Sequence, residues 1–167
     1  MFGRERCRMS PSLRKMLPGV AVAAIALVGV GSASASPPIA FNGTFTNLSS
    51  VTTSFRQADG NTFISQIVSV VYAGDFVGPV TEQIDLVIHP DGSVNFKGTD
   101  VCACMVAGRS GTIALPFSGT GDPSGFLAGR FTIGQGTGEL ANLHGVGTFE
   151  SSNGATGTFS GVYHFDP

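Results

Sequence analysis

A strand followed by a tight turn in the middle of the chain, Val80-Thr-Glu-Gln-Ile-Asp-Leu-Val-Ile-His-Pro-Asp-Gly92, decides the fold. Between residues 83 and 88, apolar side chains recur at every second position, a pattern typical of a strand with one buried face. Pro90 suits the first central position of a β-turn, and Asp91-Gly92 suits a tight reversal. A second strand, Ser93–Cys104, follows at once, so this stretch predicts an antiparallel hairpin.

Similar strands recur on both sides of this hairpin, separated by turns rich in Gly, Pro, Asn and Ser. They are Ile39–Asn47, Phe63–Tyr72, Thr112–Gly119, Phe126–Ile133, Gly145–Ser151 and Thr156–Phe165. The connections are too short for parallel crossovers. Closing about eight sequential strands into a barrel would leave no free edge. The sequence therefore predicts an all-β protein with a single eight-stranded antiparallel β-barrel, and a two-sheet sandwich is the alternative.

The first 35 residues differ in composition from the rest of the chain. Five of the nine basic residues lie within the first fifteen, an apolar run covers residues 17–30, and Ala33-Ser34-Ala35 follows. This order is typical of a signal peptide, and the apolar run is shorter than the roughly 20 residues that a spanning helix needs. We expect a signal peptide over 1–35, cleavage before Ser36 and a secreted or extracytoplasmic barrel domain over 36–167. An uncleaved membrane anchor is the alternative.

Cleavage would change the charge of the chain. It would leave four basic and ten acidic residues, a net charge of −6 with neutral histidines. Four scattered cations cannot follow a phosphate backbone, so the composition excludes a nucleic-acid partner. It fits a soluble exported protein with no stable membrane span after cleavage.

A glycine-rich element, Gly134-Gln-Gly-Thr-Gly-Glu-Leu-Ala-Asn-Leu-His-Gly-Val-Gly-Thr-Phe149, follows a hairpin that begins Gly108-Arg-Ser-Gly-Thr112. These motifs resemble a bacterial family of unknown function that is grouped with the allene oxide cyclase-like barrels. The glycine pattern is also similar to a segment of plant dirigent proteins, which share that barrel. The resemblance covers residues 39–166 and implies the same antiparallel barrel with an apolar interior. It implies no catalytic residues, because the bacterial family has no established ones.

The glycine-rich element is predicted to be a connection between strands. Gly134, Gly136 and Gly138 would permit positive φ as the chain leaves a strand. The segment 139–143 can form one helical or 3₁₀ turn, and its Leu140 and Leu143 would plug the end of the barrel. A phosphate-binding loop is excluded by the spacing and by the lack of a following helix.

Cys102-Ala103-Cys104 is the most unusual local feature. Export favours a disulfide between the two cysteines. Strand residues two apart lie about 6.6 Å from each other, so the bridge would require a bend in the strand. Free thiols facing the core and a metal site are the alternatives. The chain offers no Cys-x-x-Cys motif or paired histidines, so we expect no metal and no cofactor.

The candidate binding residues are charged side chains within predicted strands. These are Glu82, Lys97, Arg130 and Glu150. Arg130 and Glu150 lie on the strands that flank the glycine-rich connection, so they could pair. If they faced inward, one of them would be the polar anchor of a ligand pocket with Phe131 and Phe149 in its wall. Ordinary surface charge is the alternative, and the three dispersed histidines are expected to be structural.

The sequence leaves three functions open and does not decide whether the protein is an enzyme. The first is an exported barrel that binds a small apolar molecule, with strand glycines leaving free volume inside. The second, supported by the resemblance, is an allene oxide cyclase-like isomerase or cyclase that acts on a flexible apolar substrate. The third is a barrel filled by its own side chains. Self-association into a homo-oligomer is compatible with all three.

Overall fold

Eight strands account for most of residues 37–167, the part of the chain that the computed structural model describes. The strands are β1 (Ile39–Ala58), β2 (Asn61–Gly74), β3 (Phe76–Ile88), β4 (Val94–Val106), β5 (Arg109–Gly121), β6 (Leu127–Ile133), β7 (Leu143–Ser151) and β8 (Thr156–Phe165). Each pairs antiparallel with the next, and β8 pairs with β1, so the barrel closes in chain order. The predicted antiparallel barrel is confirmed, and the sandwich alternative is wrong.

The predicted signal peptide and its cleavage site lie outside the described residues. Within residues 37–167, no helix is long and apolar enough to cross a membrane.

Seven of the phenylalanines that face the interior lie directly opposite glycines on the neighbouring strand. The pairs are Phe41–Gly161, Phe45–Gly157, Phe96–Gly119, Phe117–Gly98, Phe131–Gly147, Phe149–Gly129 and Phe159–Gly43. A Cβ atom on any of these glycines would collide with the ring of its partner. The strand glycines therefore do face inward, but the phenylalanine rings occupy the space beside them. The free volume of the interior therefore lies in front of these rings and not directly beside the glycines.

One end of the barrel is closed by the glycine-rich connection. A 3₁₀ turn spans Gly138–Leu140, and Leu140 and Leu143 are fully buried in the core. Among the three glycines predicted to adopt positive φ, only Gly138 does so, at +62°. The predicted plug is confirmed, and we call this the closed end.

Strand β1 is longer than its sequence pattern predicts. The prediction ended at Asn47, whereas the strand continues to Ala58 and pairs with β2 along this extension. Two register shifts, between Asn47 and Ser49 and between Thr52 and Ser54, interrupt the alternation of side chains. Pairing of β1 with β8 stops at Thr46, so the rest of β1 and its partner β2 extend beyond the opposite, open end of the barrel.

Candidate functional site

A cavity of about 500 Å³ occupies the interior toward the open end of the barrel. Its mouth includes the exposed residues Leu48, Ser49 and Ser50 of β1 and the turn between β7 and β8. Its apolar wall contains Phe45, Val68, Val70, Phe76, Ile84, Leu86, Phe96, Leu115, Phe117, Leu127, Phe131, Phe149 and Phe159. The volume lies within the range of small-molecule sites.

Three ionisable side chains from adjacent strands meet in this apolar cavity. They are Tyr72 of β2, Glu82 of β3 and Asp100 of β4. Glu82 and Asp100 lie directly opposite each other in the β3–β4 ladder. The Tyr72 hydroxyl donates a hydrogen bond to Asp100 Oδ2, and Asp100 is only 7% exposed. We call these three residues the acidic cluster.

Burial changes how the acidic cluster binds protons. It raises the pKa of Glu82 to about 8 and that of Asp100 to about 6. The nearby Asp100 carboxylate raises the pKa of Glu82 further, whereas hydrogen bonds from Tyr72 and Glu82 oppose the rise at Asp100. Burial also raises the pKa of Tyr72 well above its usual value. The raised pKa values favour a carboxyl pair that shares one proton near neutral pH and carries one negative charge.

One oxygen of Asp100 has no hydrogen-bond partner among the described residues. Oδ1 is buried and accepts no hydrogen bond from any N–H or hydroxyl group of the described residues. Glu82 lies directly opposite Asp100 in the β3–β4 ladder. A protonated Glu82 would therefore be a donor next to the Asp100 carboxylate.

The phase of the strands explains which site residues the sequence analysis missed. Glu82 was among the candidates, but Tyr72 and Asp100 were not. Asp100 lies at an even position with Phe96 and Cys102, which both face inward, and Tyr72 alternates in the same way with Val70. An acid in phase with an apolar strand face is the signal that could have revealed the cluster.

The predicted anchors Arg130 and Glu150 lie on the outside of the barrel. Both are exposed, and neither lines the cavity, whereas Phe131 and Phe149 do. Neighbouring residues of a strand point to opposite faces, so Arg130 cannot face inward together with Phe131, nor Glu150 with Phe149. The inward orientation that a role as ligand anchor required is therefore not observed, and the two residues are ordinary surface charges, as the alternative interpretation stated. Nor are they paired across the β6–β7 ladder, where Arg130 lies opposite Thr148 and Glu150 opposite Ala128.

Cys102 and Cys104 are joined by a disulfide and point into the core, on the closed-end side of Asp100. Their Cα atoms are 5.2 Å apart, closer than the roughly 6.6 Å of a regular strand. The β3–β4 ladder is interrupted opposite them, at Gly78 and Pro79. Pro79 has no N–H to donate to β4, so the strand can bend there. The oxidation state of the pair in the isolated protein stays a prediction.

The histidines are less dispersed than the sequence suggests. His144 and His164 lie opposite each other on β7 and β8, and the Nε2 atom of each is 3.2 Å from a carboxylate oxygen of Asp166. His89 bridges Asn61 and Asn95 next to a turn. None of them lines the cavity, and no cluster within the described residues is arranged to hold a metal ion.

Comparison with known proteins places the chain in a family. The sequence profile of a family described as a protein of unknown function (DUF3224) matches residues 41–163. The chain belongs to the DUF3224 family. The resemblance to a family of unknown function is thereby confirmed, and the grouping with allene oxide cyclase-like barrels stays a prediction.

A solved structure of a DUF3224 protein of unknown function from Shewanella oneidensis MR-1 is similar to this DUF3224 protein. The TM-score is 0.62 at 16% sequence identity, and the match covers 78% of this chain and 99% of that chain. At this identity, the likeness concerns the fold alone. No curated protein matches the chain.

Proposed function

We propose that this DUF3224 protein is an exported β-barrel protein that binds a small apolar ligand in its interior. The observation that carries the proposal is the cavity of about 500 Å³, whose walls are mainly phenylalanine and aliphatic side chains. Burying the apolar surface of a ligand there would stabilise the complex by about 25 cal/mol per Å². Export is supported by the basic, apolar and small-residue order of the first 35 residues.

The alternative function, a structural barrel filled by its own side chains, is weaker because the cavity leaves part of the interior empty. A barrel of this strand number can be packed by its own side chains, and the closed end is packed in this way. Toward the open end, however, Ile84, Leu86, Phe117 and Phe149 are only partly buried, since they border empty space.

Binding can be tested with a neutral apolar dye, N-phenyl-1-naphthylamine, whose fluorescence increases in apolar surroundings. We expect saturable binding of one dye per chain. Ile84→Phe adds volume inside the cavity and should weaken binding by about tenfold or more. Val101→Phe is the matched control, because Val101 is an exposed apolar residue on the outer face of the neighbouring strand. Equal dye binding by the two variants would contradict a site inside the barrel.

Export has its own test, which is the N-terminal sequence of protein recovered from outside the cytoplasm. A product that begins at Ser36 would support export and cleavage. Recovery only in membranes with Met1 intact would contradict them.

The acidic cluster favours a second candidate function, an allene oxide cyclase-like isomerase or cyclase that acts on a flexible apolar substrate. A protonated Glu82 beside an ionised Asp100 could donate and accept protons on one bound molecule. The raised pKa values of about 8 and about 6 suit those two roles. The cavity would hold the substrate in a folded shape.

Mass spectrometry of molecules that co-purify with the protein separates the two functions. An enzyme should retain different molecules in the wild type and in Glu82→Gln, because the variant would accumulate unconverted substrate. A binding protein should retain the same molecule in both, in different amounts at most.

A further inference from the structure

We propose that the ligand of the cavity is an organic cation, a protonated amine on an aromatic or other apolar body, whose N–H groups bind Asp100 and Glu82. This inference rests on the proposed binding function and names its ligand class. It makes the acidic cluster the recognition element and the phenylalanine wall the surface for the apolar body.

The charges around the cavity favour a cation. Among the described residues that line it, the only ionisable side chains are Tyr72, Glu82 and Asp100. None is basic, so the negative charge of the carboxyl pair has no counter-ion within the cavity. An unpaired charge in apolar surroundings is costly, and a monocation would pair it. A fatty acid or other carboxylate would instead bring a second negative charge next to Asp100.

The hydrogen-bonding geometry favours an N–H donor. Asp100 Oδ2 already accepts a hydrogen bond from the Tyr72 hydroxyl, whereas the buried Oδ1 has no hydrogen-bond partner among the described residues. An ammonium group has three N–H donors and no acceptor. Because Glu82 and Asp100 lie opposite each other on adjacent strands, one ammonium group could donate to both carboxylates.

The apolar wall near the acidic cluster suits the body of such a ligand. Leu115 lies opposite Asp100 in the β4–β5 ladder, and the ring centroid of Phe159 is 5.0 Å from that of Tyr72. Phe96 and Phe117 continue the wall toward the mouth. Aromatic faces also attract cations directly, an interaction that strengthens when water is excluded.

Binding of a cation should be coupled to proton release. A positive charge favours the ionised forms of both carboxyls, so the ligand would lower both pKa values and release part of the proton that the pair holds. The groups involved are Tyr72 on β2, Glu82 on β3 and Asp100 on β4, and no other cavity-lining residue in the described chain titrates. The affinity for an amine that stays protonated over this range should therefore rise with pH from about 5 to about 8.

Three indole compounds with the same apolar body provide the test: tryptamine, which is an ammonium cation, neutral tryptophol, and anionic indole-3-acetate. The chain contains no tryptophan, so indole fluorescence excited at its red edge reports the ligand alone. We expect tryptamine to bind at least about tenfold more tightly than tryptophol at neutral pH, and indole-3-acetate to bind most weakly. Only tryptamine should show an affinity that rises with pH.

Two variants assign this preference to the acidic cluster. Asp100→Asn and Glu82→Gln should each reduce the ratio of tryptamine to tryptophol affinity by about tenfold. Glu150→Gln removes one negative charge from the exposed outer face and should leave the ratio unchanged. Tryptophol binding serves as the check that a variant is folded with its cavity intact.

The outcomes separate this inference from the proposed function. If tryptophol or the neutral dye binds while tryptamine has no advantage, the cation inference is wrong and apolar binding stands. Tighter binding of indole-3-acetate would also overturn the inference. If neither the neutral dye nor any of the three indoles binds, the proposed binding function itself fails.

Discussion

The ring of Phe131 lies on the backbone of Gly147, its direct partner across the β6–β7 ladder. The ring occupies the place where any larger residue at position 147 would put its Cβ atom. The same arrangement recurs at six further phenylalanines, each of which lies over an opposing glycine, whereas Phe76 lies opposite Val106. The pair, and not the single residue, is therefore the unit of core packing.

A methyl group at position 147 tests this packing. Gly147→Ala should lower the free energy of unfolding by about 1–3 kcal/mol, because the Cβ atom overlaps the Phe131 ring. Adding Phe131→Leu should recover part of that loss, which a double-mutant cycle by chemical denaturation would measure. Gly134→Ala is the control, since a Cβ atom there meets no other atom within 4 Å. Additive effects of the two changes would show that ring and glycine are not coupled.

The alternation of inward-facing and outward-facing residues along each strand could have predicted more of the site residues from the sequence. Period-two alternation predicts all eight strands, and it already places Glu82 on the same face as Ile84. Applied strictly, it also places Arg130 and Glu150 outside, opposite to Phe131 and Phe149. Local sequence patterns thus predict whether a strand residue faces the interior or the outside of the barrel, without a structure.

The convergence of the acidic cluster depends on register, which local patterns do not contain. Glu82 meets Asp100 because the turn at residues 89–93 sets the pairing of β3 with β4. Tyr72 reaches Asp100 across β3, from two strands away. The continuation of β1 beyond Asn47 was missed because its two register shifts disturb the alternation that identifies a strand.

The connection at the closed end should matter for stability and not for binding. Gly138 has a φ of +62°, and a Cβ atom there would lie 3.0 Å from the carbonyl oxygen of Ser110. Gly138→Ala should therefore lower the free energy of unfolding by about 1 kcal/mol or more. Binding of N-phenyl-1-naphthylamine at a temperature where the variant is folded should be unchanged. Unchanged stability with lost dye binding would instead indicate that this loop contacts the ligand.

Cys102 and Cys104 should form a disulfide in the mature protein whose export we propose. They are the only cysteines of the predicted mature chain, since the third, Cys7, precedes the expected cleavage site. We expect intact-mass measurement to show no alkylation without reductant and two alkylated thiols after reduction under denaturing conditions. Two alkylated thiols in the denatured, unreduced protein would show that the pair is free and acts as apolar core filling.

The acidic cluster should make the barrel less stable as the pH rises. Folding raises the pKa of Glu82 to about 8 and that of Asp100 to about 6, so the folded state holds protons that the unfolded chain has already released. This contribution is fully present below the unfolded pKa values, near about 4, and is lost as the pH rises through about 6 and about 8. Between about pH 6 and about pH 8 the folded state holds about one proton more than the unfolded state. The free energy of unfolding should therefore fall by about 1.4 kcal/mol per pH unit in this range.

Glu82→Gln isolates the contribution of Glu82 to this pH dependence. Glutamine has nearly the same shape and can still donate to Asp100, but it binds no proton. Chemical denaturation at several pH values should therefore show a flatter profile between pH 6 and 8 in this variant, with a slope reduced by about 1.4 kcal/mol per unit. Glu150→Gln, a change at an exposed glutamate, should keep the wild-type slope. Parallel profiles for wild type and Glu82→Gln would mean that Glu82 is already ionised in the folded barrel, and that the carboxyl pair does not share a proton.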